Sequence, residues 1–234
     1  MKVQRHIARQ LLLTAICLWG TVVLAHAEYN HELGLTAGTS FYLGDANHVT
    51  VFNRASWTAG AFYRYNIDTR WAIRFKGQYA RMNGNSDDFG YKFPNGQTGV
   101  KFSRGLTDLS LTTEFNFLDI GESRYYKGRF KATPYIALGI GCAIYNNYGD
   151  GHMFNVNLPF AIGGKWLATK RLTLGLEWSI HKLFADDLDV TGPENAILKD
   201  PYGTGKVGFI DTDWYSTLWV SISCKLFTTR KFCK

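Results

Sequence analysis

The stretch Asn155–Gly192 alternates apolar and polar residues through two arms joined by a very short link, which constrains the fold more than anything else in the chain. In the first arm Val156, Leu158, Phe160, Ile162 and Trp166 share one face, opposite Asn157, Pro159, Ala161, Gly163 and Lys165. In the second, Leu172, Leu174, Leu176, Trp178 and Ile180 oppose Thr173, Gly175, Glu177, Ser179 and His181. A repeat of two puts successive side chains on opposite faces of a strand. The link, Ala168 to Arg171, leaves room only for antiparallel neighbours. The hairpin predicts a sheet with one greasy and one polar face.

The same alternation recurs along the chain. It predicts strands at His31–Ser40, Trp57–Asn66, from Trp71 past Tyr79, Gly105–Leu118, Ala132–Tyr145 and Asp213–Phe227, which with the hairpin makes eight. Polar, Gly-rich loops are expected at 41–54, 83–103 and 185–212, and a linker at Asp119–Lys131. Trp219 falls on the polar face of the last strand, against the pattern. No helix of useful length is expected.

Alternation alone does not say which face is inside. The predicted strands exceed ordinary soluble length and suffice to cross a bilayer at a tilt. The polar face is a mixture of Gly, Ala, Ser and Thr with isolated charges, as a cramped lumen requires, rather than a solvated Lys/Glu surface. Links before the third and seventh strands are tight, and those before the second, fourth and eighth are long. Trp57, Trp71, Trp166, Trp178 and Trp214 fall near predicted strand ends, where an aromatic girdle sits. The fold class predicted is all-β: an eight-stranded antiparallel transmembrane β-barrel of the outer membrane, with short periplasmic turns and longer external loops.

The N-terminus fits that destination. Lys2, Arg5 and Arg9 precede an apolar run, Leu11–Leu24, and Ala25-His26-Ala27 is a small-x-small processing site. Residues 1–27 read as a signal peptide for Sec-type export, cleaved after Ala27, with a barrel at 28–227 and a short periplasmic tail at 228–234. Removing the three positive charges of that segment from the 26 Lys+Arg leaves 23 against 19 acidic residues, a net of +4. The basic residues are scattered in sequence, so a nucleic-acid partner has no support. Cys17 leaves with the leader, and Cys142, Cys224 and Cys233 form no disulfide framework.

An eight-stranded barrel has room for side chains and no wide pore. Arg64, Arg74, Lys76, Glu114, Lys165 and Glu177 are therefore expected to form a charge network across the lumen, since buried charges need partners. No metal, cofactor or catalytic site is predicted. Asp186, Asp187 and Asp189 lack an EF-hand pattern, Gly139-Ile140-Gly141 is followed by no helix, and the histidines lack metal spacing. Ser179 and His181 face the same side and read as a hydrogen-bonded lumen pair, with no nucleophile motif around them.

The pieces GTSFYLGDAN, FYRYNIDTRWAIRFKGQYARMNG, EFNFL, TPYIALGIG, LPFAIGGKWLATKRLTLGLEWSIHKLF and DWYSTLWVSISCKLF, in this order, resemble the PorG-type outer-membrane proteins of the type IX secretion system of Bacteroidetes. The resemblance covers nearly the whole chain after residue 27. It implies a non-enzymatic barrel, surrounded by outer-membrane lipid, that contacts the ring lipoprotein and its partner subunit in the periplasm and takes no small-molecule substrate. Arg124, Lys127, Arg129 and Lys131, in the linker that would face the periplasm, are the expected partner contacts. Two other functions compete: a generic surface barrel whose external loops bind a ligand or host molecule, and a lipid-modifying enzyme using Ser179 and His181.

Overall fold

The computed structural model describes residues 31–43, 52, 54–85, 101–120, 130–146, 152–184, 188 and 213–226. The segments read as a signal peptide (1–27) and a tail (228–234) lie outside them. The strands are β1 (His31–Leu43), β2 (Ser56–Asn66), β3 (Trp71–Asn85), β4 (Lys101–Asn116), β5 (Ala132–Asn146), β6 (His152–Leu167), β7 (Leu172–Leu183) and β8 (Trp214–Leu226). Each pairs antiparallel with its sequence neighbours, and β8 returns to β1 to close the barrel.

The faces are inverted relative to a soluble protein. Leu35, Leu138 and Phe154 on the outer wall are 64, 63 and 65 % exposed, whereas Glu114 and Glu177 inside are fully buried. Apolar area left in water costs roughly 25 cal/mol per Å², so a belt of this kind belongs in hydrocarbon. Strands of 11 to 16 residues suffice to cross it. Closure pairs the backbone of every strand on both sides, as a bilayer demands. Aromatic pairs mark both margins: Trp57–Tyr79 toward one, Trp71–Phe115 toward the other. Trp178 departs from expectation, lying mid-strand against Phe52 rather than at a strand end.

Two tight turns, 67–70 and 168–171, define the periplasmic end, each built by a side chain that caps its own backbone. Asp68 Oδ1 accepts the N–H groups of Arg70 and Trp71, at 2.6 and 2.7 Å. Thr169 Oγ1 does the same for Arg171 and Leu172, at 3.3 and 3.0 Å. The β4–β5 connection leaves from this end too.

Strand limits differ from the sequence reading chiefly at the external ends of the strands. β1 runs on to Leu43, and the loop expected at 83–103 begins and ends as a ladder, pairing Asn83 with Ser103 and Asn85 with Lys101. The fourth strand spans Lys101–Asn116 rather than Gly105–Leu118. A neighbour across the ladder satisfies backbone groups whatever the side chains, so apolar alternation stops before the strand does.

Candidate functional site

The barrel interior gathers the titratable side chains, and strand register decides which of them meet. Arg64 on β2 and Arg74 on β3 lie side by side in the ladder, and Glu114 on β4 is one row away. Glu177 on β7 is positioned beside Gly163 of β6, whose missing side chain leaves space for the Tyr135 ring. All six residues of the expected network lie inside the barrel, and the structure links them.

Glu114 is the hub. It pairs with Arg64 at 2.9 Å, Arg74 at 2.9 Å and the Lys165 ammonium. Glu177 takes both terminal nitrogens of Arg74, at 2.6 and 3.0 Å, and the Tyr135 hydroxyl. Two parallel bonds of this kind fix geometry as well as energy. Lys76 stands farther off, 4.0 Å from Glu177 and 5.1 Å from the Trp219 ring centroid. Trp219, the exception on the polar face, also lies against Arg74, and Tyr135 against Lys165, so rings cover the cations on sides that the carboxylates leave open.

Sequence reasoning missed Glu32. It accepts from Arg64 at 2.8 Å, Asn66 at 3.0 Å and Ser223 at 3.2 Å, tying β1, β2 and β8 together at the periplasmic mouth. Its position opposite Leu33 and Leu35 in the alternation was a usable signal. Tyr135 carried the same signal, since it shares the parity of Ala137 and Gly139, opposite Ile136 and Leu138.

Toward the external end a second cluster surrounds Asp108. Its Oδ2 accepts from Tyr215 at 2.7 Å and Asn157 at 2.6 Å, and His181 stacks on Tyr215 with ring centroids 4.4 Å apart. Ser179 Oγ lies 3.2 Å from His181 Nε2 and 2.7 Å from Thr217. Asp108, His181 and Ser179 thus stand in the order of a hydrolytic triad, but His181 Nδ1 is 3.7 Å from Asp108, beyond hydrogen-bond reach. Tyr42, Met82, Phe102, Leu106, Leu183 and Leu188 form an apolar stopper at this end. Asp213 pins it, accepting the Tyr42 hydroxyl at 2.8 Å and the Leu188 N–H at 2.9 Å. A lipid on the outer wall does not reach Ser179, which is buried in the lumen.

Of the expected partner contacts, Lys131 is exposed at the periplasmic end, with its carbonyl accepting the Leu167 N–H at 2.7 Å. Arg124, Lys127 and Arg129 lie outside the described residues, as do Asp186, Asp187 and Asp189. The first residues of the β4–β5 connection are tied to the neighbouring turn: Ile120 N–H donates to Thr69 O at 3.4 Å, and Arg70 pairs with Asp119 at 2.6 Å. Phe130 N–H returns to Asp119 O at 3.1 Å. Cys142 and Cys224 are free thiols.

A family model described as "Domain of unknown function (DUF6089)" matches residues 9–234. No curated protein matches the chain significantly. Among solved structures, neisserial surface protein A is similar at 13 % identity, a TM-score of 0.47, and coverage of 84 % of this chain and 97 % of that one. Ail of Yersinia pestis, in complex with the heparin analogue sucrose octasulfate, is 12 % identical with a TM-score of 0.41, covering 83 and 97 %. OprG of Pseudomonas aeruginosa is 9 % identical with a TM-score of 0.41, covering 86 and 97 %. Likeness at this level says nothing of shared function.

Proposed function

The chain belongs to the DUF6089 family, and we propose that this member is a non-enzymatic outer-membrane barrel that serves as a subunit of the type IX secretion system. In this reading it contacts the periplasmic ring complex through Arg124, Lys127, Arg129 and Lys131. The observation that carries the reading is how the β4–β5 connection is held. A solvated loop needs no anchors, yet this one is bonded to the β2–β3 turn through Thr69 and Arg70 at its start and to the end of β6 through Lys131 at its finish. Such bracing fixes both ends of the connection, at Asp119–Ile120 and at Phe130–Lys131, beyond the bilayer. The filled lumen points the same way, since an interior packed with ion pairs and capped by apolar side chains leaves the two ends as working surfaces. The resemblance of the ordered sequence pieces to PorG-type proteins is what supports the choice of machine.

The test is a native pull-out from gently solubilised outer membranes, with the co-purifying proteins identified by mass spectrometry. Ring lipoprotein and its partner subunit are expected in the eluate, and replacing the four basic residues by Gln should deplete them. A barrel that emerges alone, from cells that still secrete after its deletion, ends this reading.

A further inference from the structure

We propose that the outer wall at the periplasmic ends of β5, β6 and β7 binds an anionic phospholipid of the inner leaflet, one acyl chain lying in a groove centred on Gly164 and the headgroup phosphate among Lys131, Lys170 and Arg171. The site does not depend on the secretion reading.

The groove arises from three small or compact positions in a wall otherwise built of large side chains. Ladder register sets Pro134 beside Gly164 and Gly164 beside Leu176. A Cβ on Gly164 would meet no heavy atom within 4 Å, so the wall is indented there rather than filled from a neighbouring strand. Ala132, Pro134, Gly164, Trp166, Leu174 and Leu176 line a hollow of about 560 Å³, almost wholly apolar. It faces sideways into hydrocarbon and ends at Trp166, an aromatic residue at headgroup depth.

Directly beyond it come the cations. Ala132 pairs with Trp166, and the residue before Ala132 is Lys131. Trp166 pairs in turn with Leu174, and the turn joining their strands carries Lys170 and Arg171. The Arg171 carbonyl accepts the Lys225 N–H at 2.8 Å, which fixes that turn against β8. Lys131, Lys170 and Arg171 are all exposed, and none has an acidic partner among the described residues. Arg70, at the same end, differs in being neutralised by Asp119. An apolar slot opening into the bilayer beneath three cations that have no acidic partner among the described residues is complementary to a lipid bearing a phosphate and net negative charge. An acidic protein would find the cations but would have to enter the membrane to fill the slot.

The experiment is native mass spectrometry of the delipidated full-length barrel in neutral detergent, titrated with phosphatidylglycerol or with phosphatidylcholine of the same chains. Preferential one-to-one retention of phosphatidylglycerol is expected. The triple variant K131Q/K170Q/R171Q should lose phosphatidylglycerol by about fivefold per charge removed, at about 1 kcal/mol for each cation near a lipid surface. Retention of phosphatidylcholine should stay unchanged in it. Gly164→Leu should weaken both lipids alike. Folding is checked by the heat-dependent shift of the barrel band on a gel, and Lys170→Gln alone, in an exposed turn, serves if the triple variant does not fold. Equal retention of both lipids by the unmodified barrel overturns the site. So does phosphatidylglycerol retention that neither Gly164→Leu nor the charge variants alter, even where an acidic periplasmic protein binds through the same lysines.

Discussion

From the periplasmic end of the lumen to the external end, the filling changes from charge to hydrocarbon. Below, Glu32, Arg64, Arg74, Glu114, Lys165 and Glu177 satisfy one another across six strands. Above, Tyr42, Met82, Phe102, Leu106, Leu183 and Leu188 close the mouth by packing. Both block passage, but their failure modes differ. Losing one member of an ion-pair network strands its partners in a low dielectric, whereas losing one packed side chain leaves a hole.

The sharpest way to break the comparison is Glu114→Leu together with Glu177→Leu. Arg64, Arg74 and Lys165 would then lose carboxylates, and a loss of more than about 3–5 kcal/mol is expected in urea unfolding from vesicles. A doubly substituted barrel with unchanged midpoint would mean that the charges are incidental. Next comes Leu106→Ala at the opposite end, expected to cost about 2–5 kcal/mol by leaving a cavity. Conductance across a planar bilayer should stay at baseline in that variant, because the charged end still closes the lumen; steady current would show that one half alone seals it. Lys76→Met should change stability by no more than about 1 kcal/mol, since its nearest carboxylate oxygen is already 4.0 Å away and an apolar replacement of similar shape is tolerated. Smallest of all, Arg70→Ala removes a pair exposed to water and should cost at most about 1 kcal/mol. That effect should fade in high salt, while the Glu114 effect should not.

The network residues were legible because parity in a strand is a strong rule, and a charge among Gly, Ser and Thr on the parity opposite to Leu and Ile has one place to go. Glu32 obeyed the same rule and was available. Apolar lumen residues such as Phe62, Leu106 and Trp219 were harder to place, because parity separates two faces but does not say how far up a closed tube the hydrocarbon begins. Polar strand ends were invisible for a related reason, since their partners are supplied by the adjacent strand.

Charge distribution was misread most. Basic residues look scattered along the sequence, yet topology collects the connections 67–70, 117–131 and 168–171 at one end, where they carry seven Lys/Arg against three Asp/Glu. Connections 44–55, 86–100, 147–151 and 184–213, at the other, carry four against eleven. Strand order, and not composition, makes the molecule electrically polar.

The pairing of β1 with β8, from His31 opposite Leu226 to Leu43 opposite Trp214, is a seam between the first and last strands. Until β8 is in place, β1 and β7 each present a row of open backbone groups, and hydrocarbon offers them no water. A nascent or truncated chain that stops short of residue 214 has no partial version of this structure to occupy in a bilayer. Assembly must therefore wait for the last strand, which places the commitment to insert at the C-terminal strand and makes folding slow, as contacts of such sequence separation require.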